Sequence, residues 1–415
     1  MGQGQARRWT SPSQIANTLR PPPPDRIDDT PNSSVRFRPS SSSLRLLFFA
    51  VTVAYVAGFA TILFTHVWLL DGAGRLIAYD FVGVYAAGKL ALAGQPAGIY
   101  DWPTHKMAEA AALANSLSWR DYFGWHYPPP FLFAAAALAL LPYLAAFFVW
   151  NVATLPFYLF VIRRVAGRAE AWLAAFAFPA TFFNILVGQN GFVSAALIGG
   201  ALVTLGENPI LSGVLVGLMT YKPQFGILFP FALAAGGYWR TIAAAAATAI
   251  AMAIVSWLVL GSETWIAFFH SIPVTTDAVF VRGLAGWAKL NSLYGFCRWL
   301  GLGTVAAAAA QGIISTAAVG AVIALWRSRT SLSLKSAGLI AASLLATPYL
   351  YVYDLPILAV AIAFLFRAGP FDASEYVAIG LAVIAIFAFP FASAPTALIA
   401  VVLVTILITR RAIPN

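Results

Sequence analysis

Charge is what this sequence has least of. Only 10% of its 415 residues are Asp, Glu, Lys or Arg and 60% are hydrophobic, whereas a soluble domain is about 25% charged. A water-soluble globule is excluded, because there is too little polar surface to coat one. Cysteine is nearly absent, and the single Cys297 rules out an internal disulfide framework and any cysteine-rich metal site. The four histidines form no H-E-x-x-H pair, and no G-x-S-x-G elbow occurs, so zinc-protease and serine-hydrolase chemistries lack their signatures. Acidic residues number 15 against 25 basic ones, a net +10, and the position of the basic residues decides what that excess means.

What the chain does have is apolar runs of membrane-crossing length. Residues 1–44 differ, with Pro21 to Pro24, Ser40 to Ser43 and scattered arginines; they lack apolar periodicity and read as a disordered cytoplasmic tail. Leu46–Leu70 is apolar throughout, enough to cross a hydrocarbon core of ~30 Å and too long for a signal-peptide core. Further runs are Tyr143–Ile162, Ala171–Val187, Phe192–Leu205, Ile210–Thr220, Phe225–Tyr238, Ile242–Leu260, Val305–Trp326, Ser336–Leu350, Leu355–Phe366, Val377–Phe391 and Thr396–Thr409. The expectation is one all-α polytopic bundle over 45–411 with about 12 transmembrane helices, several of them broken or tilted because they fall short of about 17 residues.

Tyr127–Leu141 is apolar but opens on Pro128-Pro129-Pro130 and meets Pro142. Read as a helix at the outer interface rather than a full crossing, it leaves 17 of the 25 Lys and Arg residues on the cytoplasmic side, while acidic residues divide 7 to 8. That asymmetry of basic residues alone is an orientation signal, which places both termini in the cytoplasm and removes nucleic acid as a partner. Two long outer segments remain, about 71–142 and 261–303, rich in Trp, Tyr, His and charge. Chemistry is expected there, on loops over a rigid scaffold.

Asp80 precedes a helix-like run, Val82–Ala93, that ends at Gly94. It reads as an N-cap and as a general base whose pKa partial desolvation raises, two roles that are compatible. Gly188-Gln189-Asn190-Gly191 is a tight polar turn between two runs. Lys222, in Lys222-Pro223-Gln224, puts an amine at the membrane boundary, where it either snorkels or meets a lipid phosphate. Arg282 and Lys289 either clamp a phosphate or sit among headgroups. Trp265, Trp287 and Trp299 read as an interfacial aromatic belt. Asp354, beside Thr347-Pro348-Tyr349 and Tyr351-Val352-Tyr353, needs a cation, and both Lys222 and Arg282 are candidates.

Asp80-Phe81, Tyr85-Ala86-Ala87, Gly94, Tyr100-Asp101, Tyr127-Pro128-Pro129, Gly188-Gln189-Asn190 and Lys222-Pro223-Gln224 occur in that order. Over about residues 45–410 the chain resembles glycosyltransferase family 87, which includes mycobacterial polyprenyl-phosphate-mannose-dependent mannosyltransferases. The resemblance implies a GT-C-type fold with amphipathic outer-loop helices. It also implies inverting transfer of a sugar, a mannose-like hexose or a pentose, from a polyprenyl-phosphate donor to a lipid or glycan acceptor on the periplasmic face of the plasma membrane. In that scheme Asp80 is the catalytic base, and Lys222, Arg282 and Lys289 meet the donor phosphate. Tyr85, Asp101, His126, Tyr127, Gln189, Asn190, Gln224, Tyr349 and Asp354 surround the substrates. No cofactor is expected, and no metal, since Asp80 stands without a D-x-D partner. The chain departs from the mycobacterial members at Thr347-Pro348-Tyr349 and Asp354, where they carry histidine near a Ser-Pro pair. A transporter of a lipid-linked sugar also fits broken helices with polar ends, as does a non-catalytic partner subunit; the absence of an internal repeat and the clustering of polar groups at one face favour the enzyme.

Overall fold

The computed structural model describes residues 41–114 and 123–413, and every regular element in them is a helix. Residues 1–40 of the expected tail lie outside the described residues; 41–44 already belong to the first helix, Ser41–Phe64. Four helices are long and apolar enough to cross a membrane: Ser42–Phe64, Tyr143–Ala166, Trp239–Leu260 and Thr304–Arg327. Eight further apolar helices have 10–17 residues, so at 1.5 Å per residue none spans ~30 Å alone. Among the described residues, four of the expected runs thus form single helices of crossing length, and the others form shorter helices.

Proline and glycine set the breaks. Ala171–Val187 divides at Phe178 into Ala171–Ala177 and Pro179–Val187, because Pro179 at the first helical turn has no N–H to continue a ladder. Pro223 likewise separates Met219–Tyr221 from Pro223–Phe225, and Gly167 and Gly188 close their helices at φ +65° and +69°.

Tyr127–Leu141 forms a short turn, Pro129–Phe131, and the eight-residue helix Leu132–Ala139, too short to cross. It packs on Phe81–Leu92 so closely that a Cβ on Gly88 would lie 2.1 Å from the Ala135 carbonyl oxygen. Phe81–Leu92 is buried almost all round, with Phe81, Val82, Ala86 and Ala87 at 0% exposure. Of the helices in this outer segment, Phe81–Leu92 has its apolar sides taken up by packing.

Three apolar clusters organise the interior. The largest is built around Phe192, Phe229, Trp326 and the helix Pro356–Arg367. A second holds Phe81, Trp125, Phe131, Phe147 and Tyr221. A small third, Leu290, Tyr294, Cys297, Ala307 and Tyr351, lies under the second long loop. One cavity draws its walls from all three.

Candidate active site

The cavity has a volume of about 650 Å³, within the range of small-molecule sites. Phe183, Leu186, Val187, Val352, Phe389 and Pro390 form an apolar wall; Asp80, His126, Tyr127, Gln189, Gln224 and Lys289 contribute polar groups.

Asp80 stands at the N-terminus of Phe81–Leu92 but makes no capping hydrogen bond. Its Oδ2 instead accepts from Gln189 Nε2 at 3.2 Å. Of the two roles open to it, the cap is therefore overturned. Burial raises the Asp80 carboxyl above the ordinary aspartate value; the Gln189 bond and the Lys289 and Lys222 charges pull it back, and Asp354 pushes it up. Gln189 Oε1 accepts from the Tyr127 hydroxyl at 3.2 Å and from the Asn190 N–H at 3.3 Å. A backbone N–H can only donate, so the amide oxygen must face it and the NH₂ must face Asp80.

Packing requires glycine on both sides of this turn. Gly188 has φ +69°, and a Cβ there would lie 2.6 Å from the Phe147 ring. At Gly191 it would lie 1.9 Å from the Tyr353 carbonyl oxygen. The helix Gly191–Thr204 thereby approaches the 352–354 turn, and Lys222 meets Asp354 beneath the cavity floor. Lys222 Nζ is 2.5 Å from Asp354 Oδ1 and 2.8 Å from Asn190 Oδ1. The pair is 3% and 0% exposed, and Asp354 Oδ2 accepts from the Tyr351 N–H at 3.1 Å. Between the two candidate cations for Asp354, the fold selects Lys222.

That pairing bears on the phosphate assignment. Lys222 borders the cavity, but its charge is already matched by Asp354. Arg282 pairs with Asp277 at 2.6 Å, both about half exposed, and does not line the cavity. Among the described residues lining the cavity, Lys289 is the cation with no carboxylate within ion-pair distance. Asp354 and Asn190 are buried, at 0% and 1% exposure, and do not line the cavity.

Two further expectations are corrected. The Asp101 carboxylate caps Trp102–Ala112, accepting from the Thr104 N–H at 3.1 Å and the Thr104 hydroxyl at 2.5 Å, and lies outside the cavity. Tyr85 is 5% exposed and donates to the Leu141 carbonyl at 2.9 Å; its ring packs in the second cluster. A cap signature and a helical aromatic are each read equally well as core features, and the fold uses both that way.

His126, Tyr349 and Gln224 do line the cavity. His126 Nδ1 lies 3.1 Å from Thr275 Oγ1, and its ring meets Tyr349 edge-on at 5.8 Å. Burial, and then the nearby His105, push His126 down to about 4, so at neutral pH it is an uncharged hydrogen-bonding group. Sequence reasoning missed Thr275 and Phe280, which lie on helical segments without a local motif, and Asn291.

The sequence profile of glycosyltransferase family 87 matches residues 125–348. The match covers Tyr127, Gln189, Asn190, Lys222, Gln224 and Lys289; it is narrower than 45–410, beginning after Asp80 and ending just before Tyr349. No curated protein and no solved structure matches the chain.

Proposed function

The chain belongs to glycosyltransferase family 87, and we propose that it is an inverting enzyme moving a sugar from a polyprenyl-phosphate donor to a hydroxyl of a lipid or glycan acceptor. One observation carries this reading: Asp80, which makes no capping hydrogen bond, lines the same cavity as Lys289, a cation with no carboxylate within ion-pair distance. The acceptor oxygen attacks the anomeric carbon as its proton passes to Asp80. The bond from that carbon to the phosphate oxygen breaks, and the lipid phosphate leaves with the electron pair, its growing charge met by Lys289. Asp80 then releases the proton to solvent. Asp80 is the one carboxylate among the described residues lining the cavity, and in a single displacement it is the group available to take the acceptor proton. Gln224, Tyr127 and Tyr349 are placed to hydrogen-bond sugar hydroxyls, and the Phe183, Leu186 and Phe389 wall to take the first isoprene units.

In this reading the cavity faces the periplasm of a plasma-membrane protein with both termini in the cytoplasm. The distribution of basic residues, 17 of 25 on the other side, supports that orientation.

The test is transfer by purified protein in liposomes, offered polyprenyl-phosphate mannose and then other lipid-phosphate sugars with a native lipid extract. A product of inverted anomeric configuration is expected. Retained configuration would overturn single displacement, and turnover of a nucleotide sugar in place of the lipid donor would overturn the donor.

The pH dependence has a defined sign. The base works as carboxylate, so kcat/KM should rise with pH through an acid limb above the ordinary aspartate range, because burial raises the Asp80 carboxyl. Gln189→Ala removes a hydrogen bond that favours the charged form. Its acid limb should move to still higher pH; an unmoved or lowered limb would separate Gln189 from the base.

A further inference from the structure

We propose that Asn291 is the positioning residue that holds Lys289 at the Asp80 cavity; this rests on reading Lys289 as the partner of the donor phosphate. Lys289 ends the single turn Trp287–Lys289. The segment before it contains two glycines in the left-handed region, Gly283 at φ +62° and Gly286 at φ +85°. Such a segment loses much backbone freedom on ordering, and the Lys289 side chain itself is exposed. Something must fix the backbone if the ammonium is to meet a ligand at a set place.

Asn291, 0% exposed, does so with three bonds to three parts of the chain. Its Nδ2 donates to the Lys289 carbonyl at 2.9 Å. Its Oδ1 accepts from the Ala397 N–H at 3.1 Å, at the start of the helix Ala397–Ala412. Its own N–H donates to the Leu350 carbonyl at 2.7 Å, between Tyr349 and Tyr351. The Ala397 N–H can only donate, so the amide oxygen must face it and the NH₂ must face Lys289. The side-chain amide thus ties the Lys289 backbone to the start of Ala397–Ala412, and the Asn291 main chain holds that junction against the wall that carries Tyr349. Without the side-chain amide the loop orders only as ligand binds, and that cost appears in affinity.

The closing experiment measures binding of a short isoprenyl phosphate, citronellyl phosphate, to the full chain in detergent by calorimetry. The wild type is compared with Asn291→Ala, Lys289→Ala, the double variant and Ser292→Ala. Asn291→Ala should weaken binding about tenfold, the scale of one lost hydrogen bond. The double variant should bind no worse than Lys289→Ala, because the amide acts only through the lysine. Ser292→Ala should bind as the wild type does, although it removes the neighbouring buried hydroxyl that donates to Pro348 at 2.7 Å. Should Asn291→Ala not fold, the isosteric Asn291→Asp enters the same cycle, with an oxygen facing the Lys289 carbonyl. Unchanged affinity, losses that multiply with Lys289→Ala, or an equal loss in Ser292→Ala would each overturn the positioning role. No binding by the wild type would instead overturn the donor reading and the inference with it.

Discussion

Asp80→Asn should lower sugar transfer by about 10²–10⁴-fold, the usual contribution of a positioned general base, without unfolding the protein. The substitution preserves shape, and an amide oxygen still accepts from Gln189 Nε2 where the carboxylate did at 3.2 Å. No capping bond is lost, because Asp80 makes none. What disappears is the capacity to take a proton. The measurement is single-turnover transfer from radiolabelled lipid-phosphate sugar, with the unfolding midpoint of both proteins as control. Activity within a factor of a few of wild type would remove Asp80 from the chemistry. A large fall in the unfolding midpoint would make its role structural.

The second large effect is on stability. Lys222→Met leaves Asp354 fully buried with its charge unmatched, and breaking a buried ion pair from one side costs about 3–5 kcal/mol. Asp354→Asn strands Lys222, itself 3% exposed, in the same way. Joining the two substitutions removes both charges and keeps an oxygen for the Tyr351 N–H now bonded at 3.1 Å, so the double variant should regain most of the lost stability. Thermal unfolding in detergent reads all three. The double variant also tests which lysine meets the phosphate: if Lys289 holds it, donor KM in the double variant should stay near wild type. A severe rise in donor KM there, in a protein that unfolds as wild type does, would return Lys222 to the phosphate.

These two residues show where sequence reading stops. Lys222 is recognisable as an amine with too little polar sequence around it, and Asp354 as an acid in need of a cation. Their union spans 132 positions, and Arg282 was an equal candidate until the fold set it against Asp277. Asp80 and Gln189, 109 positions apart, belong to separate local motifs that each had an ordinary explanation, as cap and as turn. Asp101 and Tyr85 carried the same kind of local signal and proved to be cap and core.

By itself the sequence determined what local chemistry determines: helices throughout, apolar runs that require a membrane, a break at the Gly188 turn, and polar motifs gathered at helix ends. Composition and backbone geometry act over a few residues, so these are legible in one dimension. Only the tertiary structure decided which helices reach crossing length, that Lys222 is paired with Asp354, and that Asn291 bonds the Lys289 carbonyl. Those outcomes depend on close approaches, such as Gly88 to Ala135 and Gly191 to Tyr353. Charge pairing in a buried site follows from which helix ends converge, and no spacing along the chain encodes that.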